Sequence, residues 1–205
     1  MKVLQILPQL NIGGVERGTL DLSKALTQKG HESFVISGGG ILVDELEQFG
    51  AKHFEIPVHI KSLRTLSLAK SLSETISSID PDIVHVRSRM PAWVNYRAFK
   101  MLQKKPLLVS TFHGLYSFPI YSKVMSFVDH SIAISKTVER YILENYKLDK
   151  GDITVIPRGC DPLEFNNEVI NPVDKANIIE EFPQIVGKKV LTIPGRITKW
   201  KGVAE

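Results

Sequence analysis

Short apolar runs separated by amphipathic stretches set the frame of this chain. Val3, Leu4, Ile6 and Leu7 form a run with few polar interruptions, the pattern of a strand buried on both faces of a parallel sheet. After a loop carrying Gly13 and Gly14, residues Val15, Leu20, Leu22, Ala25 and Leu26 recur at helical spacing. Glu16, Asp21, Lys24 and Lys29 fall mostly off that face, so a first helix is predicted, ending near Gly30. The order then repeats. Residues 31–37 predict a second strand, 38–40 a glycine loop, 42–49 a helix, and 52–56 a third strand closed by Pro57. Leu66, Leu68, Ala69, Leu72, Ile76 and Ile79 predict an amphipathic helix over 65–79, ended before Pro81. Further strands are predicted at 82–86, 107–112, 129–134 and 152–156, with helices at 92–103 and 136–146.

This rhythm implies an α/β fold, a doubly wound and mostly parallel sheet covered by helices on both faces. Ligands of such domains sit outside the carboxyl ends of the strands, so the residues just after each strand carry the chemistry. Here they are Gly13-Gly14, Arg87-Ser88-Arg89, His113-Gly114, Ser135 and Arg158-Gly159. A glycine loop at a helix N-terminus offers unpaired N–H groups to an anion, and glycines let it come close. The same pair is also ordinary turn chemistry, and the loop has neither the G-x-G-x-x-G spacing nor a Gly-Lys-Ser/Thr sequence.

Beyond Phe165 the pattern changes. Residues 166–187 read as a connector with one helix at 174–181, and 189–193 as a fresh strand followed by PGRITKWKG, the way another α/β domain would open. The domain reading is therefore 1–165, a connector at 166–187, and the start of a second domain at 188–205, of which only the first strand is present.

Composition adds little to the fold: 43% hydrophobic and 23% charged residues over 205 positions is ordinary globular material. The single cysteine, Cys160, excludes an internal disulfide, fits a reducing compartment and reads as a small packed residue. No apolar run approaches the roughly 20 residues of a spanning helix, and the chain enters its first strand directly, so a cytoplasmic location is expected. The net charge of +4 is uneven: Lys61, Arg64, Lys70, Arg87, Arg89, Arg97, Lys100, Lys104 and Lys105 face only Glu74, Asp80 and Asp82. That half suits an anionic ligand or the anionic inner surface of a membrane, where the protein would be peripheral. Nucleic acid is not expected, because no aromatic interleaving or binding motif accompanies the charge. No metal site is expected, since His, Asp and Glu lack ligand spacing.

Read together, GGVER, PDIVHVRS, STFHG, AISKTVERYI, VIPRGCDPLEF and PGRITKWKG resemble, in order, the family 4 glycosyltransferases of the GT-B fold. In that fold two Rossmann-like domains face each other across the active-site cleft. RSRMPAW, TFHGLY and IPRG further resemble bacterial mannosyltransferases of lipopolysaccharide core assembly. The resemblance implies that Gly13 and Gly14 face the donor diphosphate and that His113 lies at the donor sugar as the catalytic histidine. Arg196 and Lys201 would grip the diphosphate, where preorganised cations stabilise the charge of the departing nucleotide. Arg17, Arg87 and Arg89 are candidates for a phosphorylated acceptor, or for plain surface ion pairing. Arg158 stands where many relatives have asparagine.

The resemblance thus implies a retaining transferase that moves a hexose, possibly mannose, from a nucleotide diphosphate sugar to a lipid-linked saccharide in envelope or lipopolysaccharide synthesis. No cofactor or metal is implied. Family members place a pair of glutamates in the second domain, facing donor sugar and ribose, and this chain has no counterpart, so it is expected to be inactive alone. Two other readings stand beside this one. A non-catalytic binding module left from a split transferase gene would share the same residues. A nucleotide-dependent oxidoreductase would need the dinucleotide fingerprint that Gly13-Gly14 does not supply.

Overall fold

The apolar runs become seven strands in the computed structural model: β1 (Lys2–Ile6), β2 (Glu32–Ser37), β3 (Lys52–Glu55), β4 (Ile83–Val86), β5 (Leu107–Phe112), β6 (His130–Ala133) and β7 (Ile153–Val155). They form one sheet in the order β3-β2-β1-β4-β5-β6-β7, with every neighbouring pair parallel. The helices are α1 (Gly14–Gln28), α2 (Val43–Gln48), α3 (Ala69–Ile79), α4 (Arg89–Phe99), α5 (Pro119–Ser122), α6 (Lys136–Asn145) and α7 (Pro172–Glu181). The structure describes residues 1–60, 62–116, 119–162 and 171–192, with only the backbone at Leu63 and Pro119.

Strand order reverses direction between β1 and β4, which makes their carboxyl ends the crevice of the sheet. The two faces of β1 differ. Leu4 and Ile6 join Phe34, Ile36, Val84, Val86 and Phe112 in the main core, covered by Leu72 and Ile76 of α3, Val94 and Ala98 of α4, and Val138 and Ile142 of α6. Leu7 points the other way, into a smaller core with Leu20 of α1, Val35 of β2 and Leu46 of α2. Between these apolar residues lies Gln5, wholly buried.

The chain divides into two compact units, Met1–Arg158 and Gly159–Glu205. In the second, α7 opens on Asn171, whose Oδ1 accepts from the Val173 N–H at 2.9 Å. The strand expected at 189–193 is not formed over Lys189–Thr192, and residue 193 lies outside the described residues. Val190 and Leu191 are exposed there, because among the described residues no neighbouring strand pairs with them. Cys160, expected to be packed, is exposed in the same unit, where Gly159–Pro162 bury nothing.

Within the first unit the element order follows the hydrophobic pattern, with three local differences. The helix expected over 65–79 opens as a 3₁₀ segment, Leu63–Leu68, before α3. A short helical stretch at Pro119–Ser126 joins β5 to β6. Finally, α4 begins at Arg89, three positions before the expected start, with Ser88 as its cap residue and Pro91 inside the first turn. Proline is tolerated there because the first-turn N–H groups have no intrahelical acceptor.

Candidate active site

A glutamine inside a strand buried on both faces must have its amide fully paired, and here the pairing builds the site. The Gln5 Nε2 group donates to the Thr19 carbonyl at 3.2 Å and to Ser23 Oγ at 3.0 Å, both on α1. Ser33 of β2 adds a hydroxyl donating to the same Ser23 Oγ at 3.0 Å. With both amide protons committed to the helix, Oε1 is turned toward β4, where it accepts from Arg87 Nη1 at 2.7 Å. The Arg87 N–H also extends the ladder, donating to the Ile6 carbonyl at 2.9 Å. The apolar face expected for α1 is thus partly polar: Thr19, Leu20 and Ser23 are its buried residues, and Ala25 is exposed.

Arg87 is 6% exposed, and among the described residues no carboxylate lies within ion-pair distance of it. Burial, and then the nearby Arg158 guanidinium, pull its pKa down to about 10 against the opposing pull of Glu16 and Asp21. It therefore keeps its charge at neutral pH. Its Nε has no hydrogen-bond partner. Arg158 Nη1 donates to the Gly14 carbonyl, and Nη2 donates to His113 Nδ1 at 2.8 Å. The two guanidinium groups meet over α1 at Gly18, where a Cβ would fall 2.7 Å from Arg158 Nη1 and 3.2 Å from Arg87 Nη2.

That contact also settles the state of His113. Arginine has donors only, so Nδ1 must accept and the ring proton sits on Nε2. Burial, followed by the fields of Arg87 and Arg158, pushes the imidazole down to about 3, so it is neutral throughout the physiological range. Nε2 is buried and unpartnered, a fixed N–H donor without an acceptor. Behind it, the neutral His85 pairs with Thr111 Oγ1 at 2.7 Å, its own pKa held well below the ordinary value by burial and by Arg87. Tyr116 accepts from the His113 backbone N–H at 3.4 Å, and Tyr141 donates to the Tyr116 carbonyl, so the loop after β5 is tied to α6.

The other sequence candidates lie as follows. Gly13 caps α1 and Gly14 is its first residue, so the pair lies at the helix N-terminus. A Cβ at Gly14 would meet nothing, whereas a side chain at Gly13 would collide with the carboxylate of Glu16, which folds back over the loop. Arg17 points away on α1, paired with Glu45 at 2.7 Å and Asp21 at 3.6 Å. Arg89 belongs to a different cluster: its guanidinium lies 4.8 Å from the Tyr116 ring centroid and 5.4 Å from that of Tyr121, with Nη1 donating to Ser122 Oγ at 3.3 Å. Arg196 and Lys201 lie outside the described residues. The structure therefore brings together Arg87, His113, Gly14 and the unassigned Arg158, and leaves Arg17 and Arg89 in other company. Gln5 was the signal for this: a primary amide in an apolar run has to face partners of its own kind. Among the described residues no group of three His, Cys, Asp or Glu side chains could hold a metal ion, and no helix is long and apolar enough to cross a membrane.

Known proteins share this fold. A glycosyltransferase from Rickettsia africae is 36% identical and superposes with a TM-score of 0.79, covering 98% of this chain and 54% of its own. Anabaena Alr3699/HepE, solved in complex with UDP and glucose, is 18% identical with a TM-score of 0.78, over 100% of this chain and 56% of its own, a likeness of fold. An uncharacterized glycosyltransferase of Methanocaldococcus jannaschii, MJ1069, is 33% identical over 143 residues, 61% of this chain and 34% of that protein. The chain spans about half the length of the solved relatives and a third of MJ1069. Residues 12–163 match Glycosyltransferase Family 4. With a seven-stranded parallel sheet of the GT-B kind beneath it, this chain belongs to the family 4 glycosyltransferases.

Proposed function

We propose that this chain is the acceptor-side half of a retaining hexosyltransferase that takes a hexose, mannose in the first instance, from a nucleotide diphosphate sugar to a lipid-linked saccharide of the cell envelope, in lipopolysaccharide synthesis. The observation that carries the reading is the His113 Nε2–H, a donor held in one tautomer and left unpaired at the crevice of the sheet. With a pKa of about 3 the ring is no proton reservoir, so its part is to hydrogen-bond a hydroxyl or glycosidic oxygen of the donor sugar as charge develops. The open space at Gly14 gives the diphosphate access to the α1 N-terminus. By the family resemblance, Arg196 and Lys201 are the residues proposed to neutralise the diphosphate, and no metal is proposed. Attack of the acceptor hydroxyl on the face the nucleotide leaves gives retention, the departing phosphate taking the proton. That HepE binds UDP and glucose on a chain of the same fold supports a nucleotide sugar as donor.

The protein would work at the cytoplasmic face of the membrane, docking peripherally through α4 and the residues just after it. Lys100 lies 4.2 Å from the Tyr96 ring centroid and Met101 is exposed, while Lys104 is occupied by Asp80 at 2.7 Å. Co-sedimentation should require anionic vesicles and weaken when Lys100, Lys104 and Lys105 become Glu; equal binding to neutral vesicles excludes the docking.

The deciding experiment is transfer from GDP-mannose and UDP-hexoses to a lipid-linked saccharide, with the chain alone and joined to a family 4 donor domain. The chain alone should be silent, and the joined form should lose about 10² in kcat on His113→Ala with its Tm nearly unchanged. Saccharide binding without turnover in the joined form would favour a non-catalytic binding module instead.

A further inference from the structure

Two positive side chains that converge with no carboxylate in ion-pair contact with either among the described residues, Glu16 and Asp21 acting on Arg87 only from further off, need a reason, because like charges in a partly buried site repel strongly. Arg87 is held in place by Gln5, and Arg158 by the Gly14 carbonyl and His113. Neither bond neutralises charge. Both guanidinium groups reach the same patch of α1, which Gly18 leaves bare, and a Cβ there would push the Arg158 end aside. Arg87 Nε and His113 Nε2 are buried donors without acceptors, so two cations and two spare N–H groups occupy one small region.

We propose that Arg87 and Arg158 form a receptor for a phosphate group, with the spare Arg87 Nε–H as a third donor. Two fixed charges match a phosphate monoester dianion better than a carboxylate, and guanidinium forks suit its tetrahedral oxygens. The inference rests on the glycosyltransferase reading only for the origin of the phosphate, which is either a phosphorylated saccharide acceptor or the donor's own diphosphate. Arg158 is then a specificity-determining residue. It is exposed, so it can be exchanged without opening the core.

Inorganic phosphate, titrated into the 205-residue chain at constant ionic strength and followed by amide NMR, tests this directly. Saturable shifts at Gly14, Gly18 and His113 are expected, with affinity falling at least tenfold in Arg158→Gln and partly restored in Arg158→Lys. Arg87→Gln should lose binding as well, but because Arg87 is buried the exposed Arg158 variants decide. No saturable binding, equal binding by Arg158→Gln, or the same shifts from chloride would overturn the receptor. Saturating UDP, added to the chain joined to a family 4 donor domain, then separates the sources: displacement of phosphate assigns the site to the donor, and simultaneous binding of both assigns it to the acceptor. Phosphate binding with no UDP binding anywhere keeps the receptor and removes support from the nucleotide-sugar reading.

Discussion

The two faces of the sheet follow opposite rules. Toward α3, α4 and α6, β1, β2, β4 and β5 present Leu4, Ile6, Phe34, Ile36, Val84, Val86 and Phe112, a packed apolar layer. Toward α1 the same strands carry Gln5, Ser33, His85, Arg87 and Thr111, each buried and most of them hydrogen-bonded. The first face gains stability from area removed from water. The second gains little net stability from its hydrogen bonds, but those bonds have direction, and direction is what holds a charged group at one point. One strand serves both ends because its side chains alternate.

Breaking the apolar face should cost the most. Leu72, fully buried on α3, is remote from the crevice, and Leu72→Ala should destabilise by about 2–5 kcal/mol while the folded molecules bind phosphate as before. Chemical denaturation and NMR titration on the same sample check both halves; loss of binding in the folded fraction would mean the faces are not separable.

On the polar face the matching change is Gln5→Leu. It strips Arg87 of its acceptor and leaves the Ser23 and Ser33 hydroxyls to find new partners, at about 1–3 kcal/mol. Phosphate affinity should fall with it. A variant that is more stable and binds unchanged would show that the amide does not position Arg87.

The acid limb of stability sharpens the contrast. A histidine whose pKa is depressed from 6.5 to about 3 in the fold takes up a proton more readily when unfolded. Its contribution is therefore intact above about pH 6.5 and is lost as pH falls toward 3. His85 acts in the same direction. Thermal unfolding followed from pH 7 to pH 4 should show a steep decline in the parent chain and a flatter one in His113→Gln. Parallel curves would mean that His113 is not held neutral by its surroundings.

The smallest effect belongs to Gly18. Alanine is the better helix former by up to about 1 kcal/mol, so Gly18→Ala should leave stability equal or slightly raised. Its methyl group nevertheless occupies the ground over which Arg158 and Arg87 meet, and phosphate binding should weaken. Unchanged affinity would show that the guanidinium groups bind from further out.

How far this was legible in the sequence depends on range. Strands buried on both faces announce themselves as apolar runs, and β5 falls at its expected Leu107–Phe112 because charge and glycine bound it on both sides. The start of α4 is displaced because Met90-Pro91 reads as a break, although a first-turn proline breaks nothing. Arg87 and His113 are visible as strand-end residues, yet their partnership runs through Arg158 and Gln5, side chains more than forty and eighty positions away. Periodicity carries no such information. What VLQIL does carry is an obligation: a buried amide has to be paired, and the helix that follows supplies Thr19 and Ser23. Lys189–Thr192 failed for the complementary reason, since an apolar run becomes a strand only beside another strand.

The place of β1 in the sheet also sets a timetable. Its first neighbour, β2, follows within the next thirty residues, but its second edge pairs Val3 with Ile83, and the chain between holds two strands and four helical segments. At roughly 5–20 residues per second of synthesis, that edge waits several seconds on the ribosome with its N–H and C=O groups unpaired and Leu4 and Ile6 uncovered. The centre of the mature sheet is thus the last place in the first half of the chain to be sealed, and a nascent chain ending before Val86 should be the form that chaperones hold longest.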